Sequence, residues 1–230
     1  MSKPRISAIA RVLDHIVSEM DAGTLGPGMR VNAAKISAHL GLSVTPVREA
    51  LGQLAGRGVI ELLPDRGAVI RSMSAEEAKK MWDVMTALCS VGTELAVEAI
   101  LRGADTTELL RCYSRIVDEP LSGPPVSFYL KTNAYHKELH RIGGNEYVQD
   151  LADRAGLAFW VRFLAKYIDI VSNLSGYRMN YRRYHEAIMA GDGPSAVAAF
   201  RYHARWSVAL INEMQASEPP RRRRRRRTEE

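Results

Sequence analysis

The sequence predicts a mainly α protein in two parts: an N-terminal unit of three helices closed by a small β-hairpin, then a longer all-α antiparallel bundle. Three observations predict it. Apolar residues recur at helical spacing over most of the chain. The one stretch that departs from this period is short and flanks a turn, and glycine-rich breaks cut the rest into pieces of bundle length. A 230-residue chain with 46% hydrophobic and 25% charged residues has the material to bury such a core.

The first unit is expected to span residues 1–72. Ile6, Ile9, Ala10, Leu13, Ile16, Val17 and Met20 keep the helical period until Gly23, Gly26, Pro27 and Gly28 end it. A second helix reads from about Asn32 to Leu40 and stops at Gly41. Ser43 is placed to cap a third, with Pro46 tolerated in its first turn and Arg48, Glu49, Leu51 and Leu54 following. After Gly58, two short apolar strands flank Pro64-Asp65-Arg66-Gly67 and read as a hairpin. Helix, helix, the tight turn Leu40-Gly41-Leu42-Ser43, helix, hairpin is the order of a winged helix-turn-helix. In that fold the helix after the turn reads the major groove of double-stranded DNA.

The second unit, residues 73–216, opens on Ser74-Ala75-Glu76-Glu77, which has the form of a capping box. A long helix through Leu101 follows, then others near 106–118, 125–141, 145–166, 173–190 and 193–215. Gly143-Gly144-Asn145 and Gly191-Asp192-Gly193-Pro194 separate them. Residues 217–230 carry seven consecutive arginines, and charges at this density repel, so a disordered tail is expected. Two readings of the tail stand: a solvated segment, or an arm adding sequence-independent affinity for DNA. Deleting 217–230 separates them, since only loss of an arm flattens the salt dependence of DNA binding.

The net charge of +6 is unevenly spread. Arg221 to Arg227 supply seven positive charges; residues 1–72 are +3, with nine Lys/Arg against six Asp/Glu, and residues 73–220 are −2. The basic excess lies at the two ends, so the helical middle is not a nucleic-acid surface. No apolar run reaches the roughly 20 residues that span a bilayer. The first twenty residues lack a signal-peptide core, so a cytoplasmic protein with no membrane partner is expected. Cys89 and Cys112 stand alone, without the close pairing of a metal or redox motif, and are expected as buried reduced thiols. No E-x-x-H pair or nucleophile constellation points to an enzyme. A metal-dependent helical-bundle enzyme using His136, His140, His185 and His203 is one rival reading, and a ligand-independent DNA-binding protein is another.

Ile16, Gly23, Leu25, Pro27-Gly28, Leu40-Gly41, Ser43, Thr45 through Leu51, Leu54, Gly58 and Arg66-Gly67 resemble the GntR family of bacterial regulators in order and spacing. The resemblance is to its FadR-like branch with an FCD effector domain. It implies DNA contacts from Lys35, Ser43, Thr45, Pro46 and Arg48, with Arg66 and Gly67 at the wing tip. Hydroxyls and a helix N-terminus suit phosphate, and an arginine can grip a guanine edge bidentately. The chain departs from the family at Val44 and Ala34, where arginines are usual, with Lys35 standing in for the latter. Arg30, Arg57 and Arg71 are further candidates for phosphate contact.

The second unit resembles the FCD domain at Tyr135-His136, Leu139 and Gly144-Asn145, and again at Ala187 to Asp192, Ala196, Ala199 and His203. That resemblance implies a pocket for a small carboxylate-bearing effector, commonly with a divalent metal on one Asp and three His. The ligand positions fall here at Thr132, His136, Tyr181 and His203, so His136 and His203 are the only usual metal ligands retained. Met85 and Cys89 stand where an Arg and a Glu are common. Zinc or a similar ion needs three or four good donors, so the expectation is a pocket without tightly bound metal. There Asn133, His136, Tyr181 and His203 would hydrogen-bond an organic acid directly. A rearranged metal site using His136, His140, Asn133 and His185 is the alternative, and Tyr129, Tyr135, Trp160, Arg162 and Arg178 are secondary pocket candidates. The resemblance further implies a homodimer on a palindromic operator, with repression modulated by the effector.

Overall fold

A computed structural model of the chain describes residues 7–63, 67–156, 162, 164–165 and 167–217. Arg66, Trp160 and the arginine tail lie outside the described residues. The N-terminal elements are α1 (Ala8–Asp21), β1 (Arg30–Val31), α2 (Ala33–Leu40), α3 (Val44–Gly56), β2 (Ile60–Leu63) and β3 (Gly67–Ile70). Val12 and Ile16 of α1 meet Val47, Leu51 and Leu54 of α3 in one apolar cluster, and Ile60 and Ile70 of the hairpin close it. Residues at i, i+3 and i+4 supply each helix's buried stripe.

The expected hairpin forms, with Ile60 opposite Ile70 and Leu63 opposite Gly67. Its sheet has a third member: β1 pairs antiparallel with β3, Arg30 opposite Val69, giving the order β1-β3-β2. Two residues are too few to show alternation in the sequence.

The helical elements are α4 (Ala75–Leu101), α5 (Thr107–Val117), α6 (Val126–Gly143), α7 (Glu146–Arg154), α8 (Ile170–Met189) and α9 (Gly193–Ser217). The capping box of α4 is complete: the Glu77 amide donates to Ser74 Oγ at 3.2 Å, and the Ser74 amide to Glu77 Oε2 at 2.8 Å. The single helix expected over 145–166 is not formed. It stops at Arg154, where the chain turns at Ala155 and Gly156, the latter at φ +77°. By length and composition α4 is apolar enough to cross a membrane, but its inward face packs against α6 and α9 as the central helix of the bundle. Both cysteines are free and buried.

At the α4–α6 crossing Gly92 lies against a ring. A Cβ built there would stand 2.2 Å from His140 Cδ2. Alanine in a helix interior ordinarily stabilises by roughly 0.5–1 kcal/mol over glycine. Here overpacking, at about 1–3 kcal/mol, works against it. Gly92→Ala is expected to lower the thermal midpoint by several degrees, and the Gly92→Ala/His140→Ala double variant to recover part of the loss relative to His140→Ala alone. A midpoint raised by Gly92→Ala would show that the two helices do not meet in this way.

Candidate DNA-reading face and ligand cavity

Val47, Ala50, Leu51 and Leu54 turn one side of α3 into the core. Ser43, Thr45 and Arg48 are left exposed, with Pro46 half-buried in the first turn. Gly41 sets the approach of this helix. It takes the left-handed conformation at φ +62°, which costs a residue without a Cβ least. The Leu42 amide then donates to the Ser37 carbonyl at 3.0 Å, and the Ser37 hydroxyl donates to the Leu42 carbonyl at 2.6 Å.

Ser43 occupies the N-cap position, but its side chain makes no capping hydrogen bond, contrary to the expectation that it caps α3. Its hydroxyl is exposed beside the first-turn amides, an arrangement suited to a phosphate. Lys35 is exposed on α2, Gly67 is exposed where β3 begins, and Arg66 lies outside the described residues. Val44 is 39% exposed on the same turn. Arg30 and Arg57 are exposed, whereas Arg71 is drawn to Glu77, with Nη2 3.1 Å from Oε1.

In the helical core, α4, α6, α8 and α9, with Leu164, enclose a cavity of about 30 Å³. Thr132, Asn133, His136, Tyr181 and His203 all line it, as do Met85, Cys89 and Tyr129. Sequence reasoning missed four of its walls: Trp82, Leu164, Tyr177 and Phe200. Helical phase could have found three of them. Trp82 precedes Met85 and Cys89 on one stripe, Tyr177 is four residues before Tyr181, and Phe200 is three before His203. The cavity has room for about one water molecule. Larger grooves lie open at the surface, such as one of about 330 Å³ beside the stacked rings of His15 and His39.

His136 Nε2 is 3.0 Å from the Tyr181 hydroxyl, and Thr132 Oγ1 donates to the Tyr129 carbonyl at 2.8 Å. Asn180 Nδ2 is 3.4 Å from His203 Nδ1. The His136 ring meets Phe200 edge-on at 4.8 Å between centroids, and His203 meets Tyr177 and Tyr181 at 4.9 and 5.2 Å. Two lining atoms, Asn133 Oδ1 and His136 Nδ1, are buried without a hydrogen-bond partner among the described residues.

Burial sets the charge state of these groups. It holds the His203 imidazole down to about 3, and it pushes His136 well below the ordinary value, with nearby His140 and His203 adding to the effect. Burial likewise raises Tyr181 well above the usual phenol range and lifts the Cys89 thiol to about 12. At neutral pH the walls are uncharged.

The other candidates lie elsewhere. His140 Nδ1 sits 3.1 Å from Gln149 Oε1, and His185 bonds the Tyr135 hydroxyl at 2.9 Å while stacking on Tyr113. Arg178 donates to the carbonyls of Ile116 and Glu119 rather than facing the cavity. Arg162 grips Asp21 of α1 with two hydrogen bonds of 2.6 and 2.8 Å. Leu164, two residues on, lines the cavity. The Tyr167 hydroxyl donates to the Met73 carbonyl, just before α4. A divalent metal does not fit. Among the described residues no three His, Cys, Asp or Glu side chains converge, and the lining offers two imidazoles, one thiol held protonated by burial and no carboxylate.

Residues 8–70 match the model of the bacterial regulatory proteins of the gntR family. Over 199 residues the chain is 25% identical to the "Probable D-xylose utilization operon transcriptional repressor" of Paenarthrobacter nicotinovorans, covering 86% of each protein. It is 24% identical over 203 residues to the HTH-type transcriptional repressor GlaR of Escherichia coli (strain K12), covering 84% of this chain and 91% of that one. A solved structure of a transcriptional regulator GntR from Rhodococcus sp. RHA1 superposes with a TM-score of 0.72 at 18% identity, covering 93% of this chain and all of that one. The fold is shared, and these relatives are transcription regulators, not enzymes.

Proposed function

We propose that the chain is a bacterial transcriptional regulator of the gntR family, a ligand-responsive repressor acting as a dimer on a palindromic operator. In this reading residues 1–72 bind DNA through Lys35, Ser43, Thr45, Pro46 and Arg48 on one face, with Arg66 and Gly67 at the wing tip. Residues 73–216 form an FCD-type domain that binds a small effector in the cavity and pairs with a second copy. A two-fold dimer presents two α3 helices to two half-sites, so their separation controls affinity. An effector acts by favouring one arrangement of the reading heads over another.

One observation carries the coupling. Arg162, whose side chain is 10% exposed, holds the last residue of α1, and Leu164 beside it walls the cavity. A ligand that displaces Leu164 would therefore pull on Asp21 and the DNA-binding unit through Arg162, two residues away.

The experiment begins with selection of an operator from random duplexes by the full chain. Operator affinity is then measured with and without compounds that raise its melting temperature. A stabilising compound is expected to change operator affinity by roughly 5–150-fold. Arg162→Gln should shrink that factor towards one while the compound still raises the melting temperature. An undiminished response in Arg162→Gln would sink the coupling route, and no compound altering operator affinity would favour a ligand-independent DNA-binding protein.

A further inference from the structure

We infer that the cavity admits no net negative charge: its ligand enters as a neutral, hydrogen-bond-donating molecule, and a carboxylic acid enters only together with a proton. The inference rests on the effector reading above and narrows its ligand class.

Among the described residues the lining contains no Lys or Arg to receive a carboxylate. Met85 and Cys89 present a thioether and a buried thiol towards the space. An ionised carboxylate moved into such a place without a counter-charge loses more hydration than a few-atom ligand recovers elsewhere. Among the described residues, the titratable groups packed around His136 and His203 are Cys89 on α4, Tyr129, Tyr135 and His140 on α6, and Tyr177, Tyr181 and Tyr184 on α8. All of them are neutral at pH 7 by the same burial, so none of these supplies a positive charge in advance.

One unpartnered atom points the same way. Asn133 Oδ1 accepts hydrogen bonds and cannot donate, whereas His136 Nδ1, on a ring engaged with Tyr181 through Nε2, accepts or donates with the tautomer. A carboxylate is acceptor-only and would set its negative oxygens against the partial negative charge of the Asn133 oxygen. A primary amide, an alcohol or a protonated acid offers the donor that this oxygen lacks. The remaining walls, Trp82, Tyr177 and Phe200 among them, suit an apolar body. The space of about 30 Å³ must widen to take one, so binding moves a wall side chain.

Matched pairs test this on the full chain: isobutyramide against isobutyrate, lactamide against lactate, and benzamide against benzoate, by thermal shift and calorimetry at pH 6.5 and 8.5. An amide is expected to bind with the same affinity at both pH values. Its acid should weaken about 100-fold over those two units, because the proton-carrying form falls tenfold per unit. The slope is the same whether the proton sits on the acid or is taken up by His136 or His203. Asn133→Leu, checked for folding by circular dichroism, should lose the amide. An acid that binds equally well at both pH values would overturn the inference and leave the effector reading intact. Zinc titrated alone that binds one-to-one and is lost in His136→Ala would overturn it too. If no member of any pair binds wild-type protein, the cavity is core packing and the effector reading falls with the inference.

Discussion

Arg48→Ala is expected to weaken specific operator binding severely while leaving the fold intact. Arg48 is exposed one turn into α3, on the side opposite the buried Val47, Ala50, Leu51 and Leu54, so truncation removes no core contact. Its effect on stability should stay within about 0.5 kcal/mol. A bidentate arginine–guanine contact discriminates by roughly 1–3 kcal/mol. The dimer proposed above would make it twice, so the loss should reach about 2–6 kcal/mol, on the order of 30-fold to 10⁴-fold in affinity. Fluorescence anisotropy with a selected operator measures it at fixed salt. Arg48→Lys separates base reading from phosphate contact, because lysine keeps the charge but not the planar fork. If Arg48 reads a base, the lysine variant stays weak and discrimination at one base pair relaxes. Recovery of nearly full affinity with lysine would assign Arg48 to a phosphate, and unchanged affinity in Arg48→Ala would remove it from the interface.

The N-terminal unit was legible in the sequence because its punctuation has local causes. Gly41 ends α2 in the left-handed conformation, Pro46 sits where a missing amide does no harm, and the hairpin strands are apolar on either side of a turn. β1 was not legible, since its pairing with β3 is a tertiary contact across 37 residues and more. The capping role given to Ser43 rested on residue type, and type does not fix where a hydroxyl points. In the helical unit, the polar lining of the cavity was found through the resemblance, by position along α6, α8 and α9. Helical phase places Trp82 and Phe200 inward, but not against a void, because an inward apolar side chain reads the same beside a cavity as in a packed core. The role of Arg162 was misread for a related reason. An arginine expected near the pocket instead reaches Asp21, 141 residues away in sequence, and only the assembled fold brings the two together.

Mild acid should unfold the helical unit, and histidine rather than carboxylate should be the cause. Burial holds His203 at about 3 and His185 at about 4 in the folded chain, against an ordinary value of 6.5, and His136 and His140 move in the same direction. Below pH 6.5 the unfolded chain takes up protons that the folded chain refuses. Stability is therefore complete above about 6.5 and is lost as pH falls towards the folded values. Each such histidine removes about 1.4 kcal/mol per pH unit, so His203 alone costs about 2 kcal/mol by pH 5. His185 adds a comparable amount, and a total stability of roughly 5–15 kcal/mol leaves little margin. The depressed carboxylates, Glu77 and Asp169 for example, act in a separate window: their contribution is present above the ordinary carboxylate range and is lost only below it. Urea unfolding followed by circular dichroism between pH 7.5 and 5 distinguishes the two, since the carboxylate window lies lower. The extrapolated stability should fall over that interval, and His203→Gln should flatten the slope by about one proton, whatever it does to stability at pH 7.5. A stability that holds level down to pH 5 would mean that these imidazoles protonate in place, and that the cavity is wetter and more open to charge than its walls suggest.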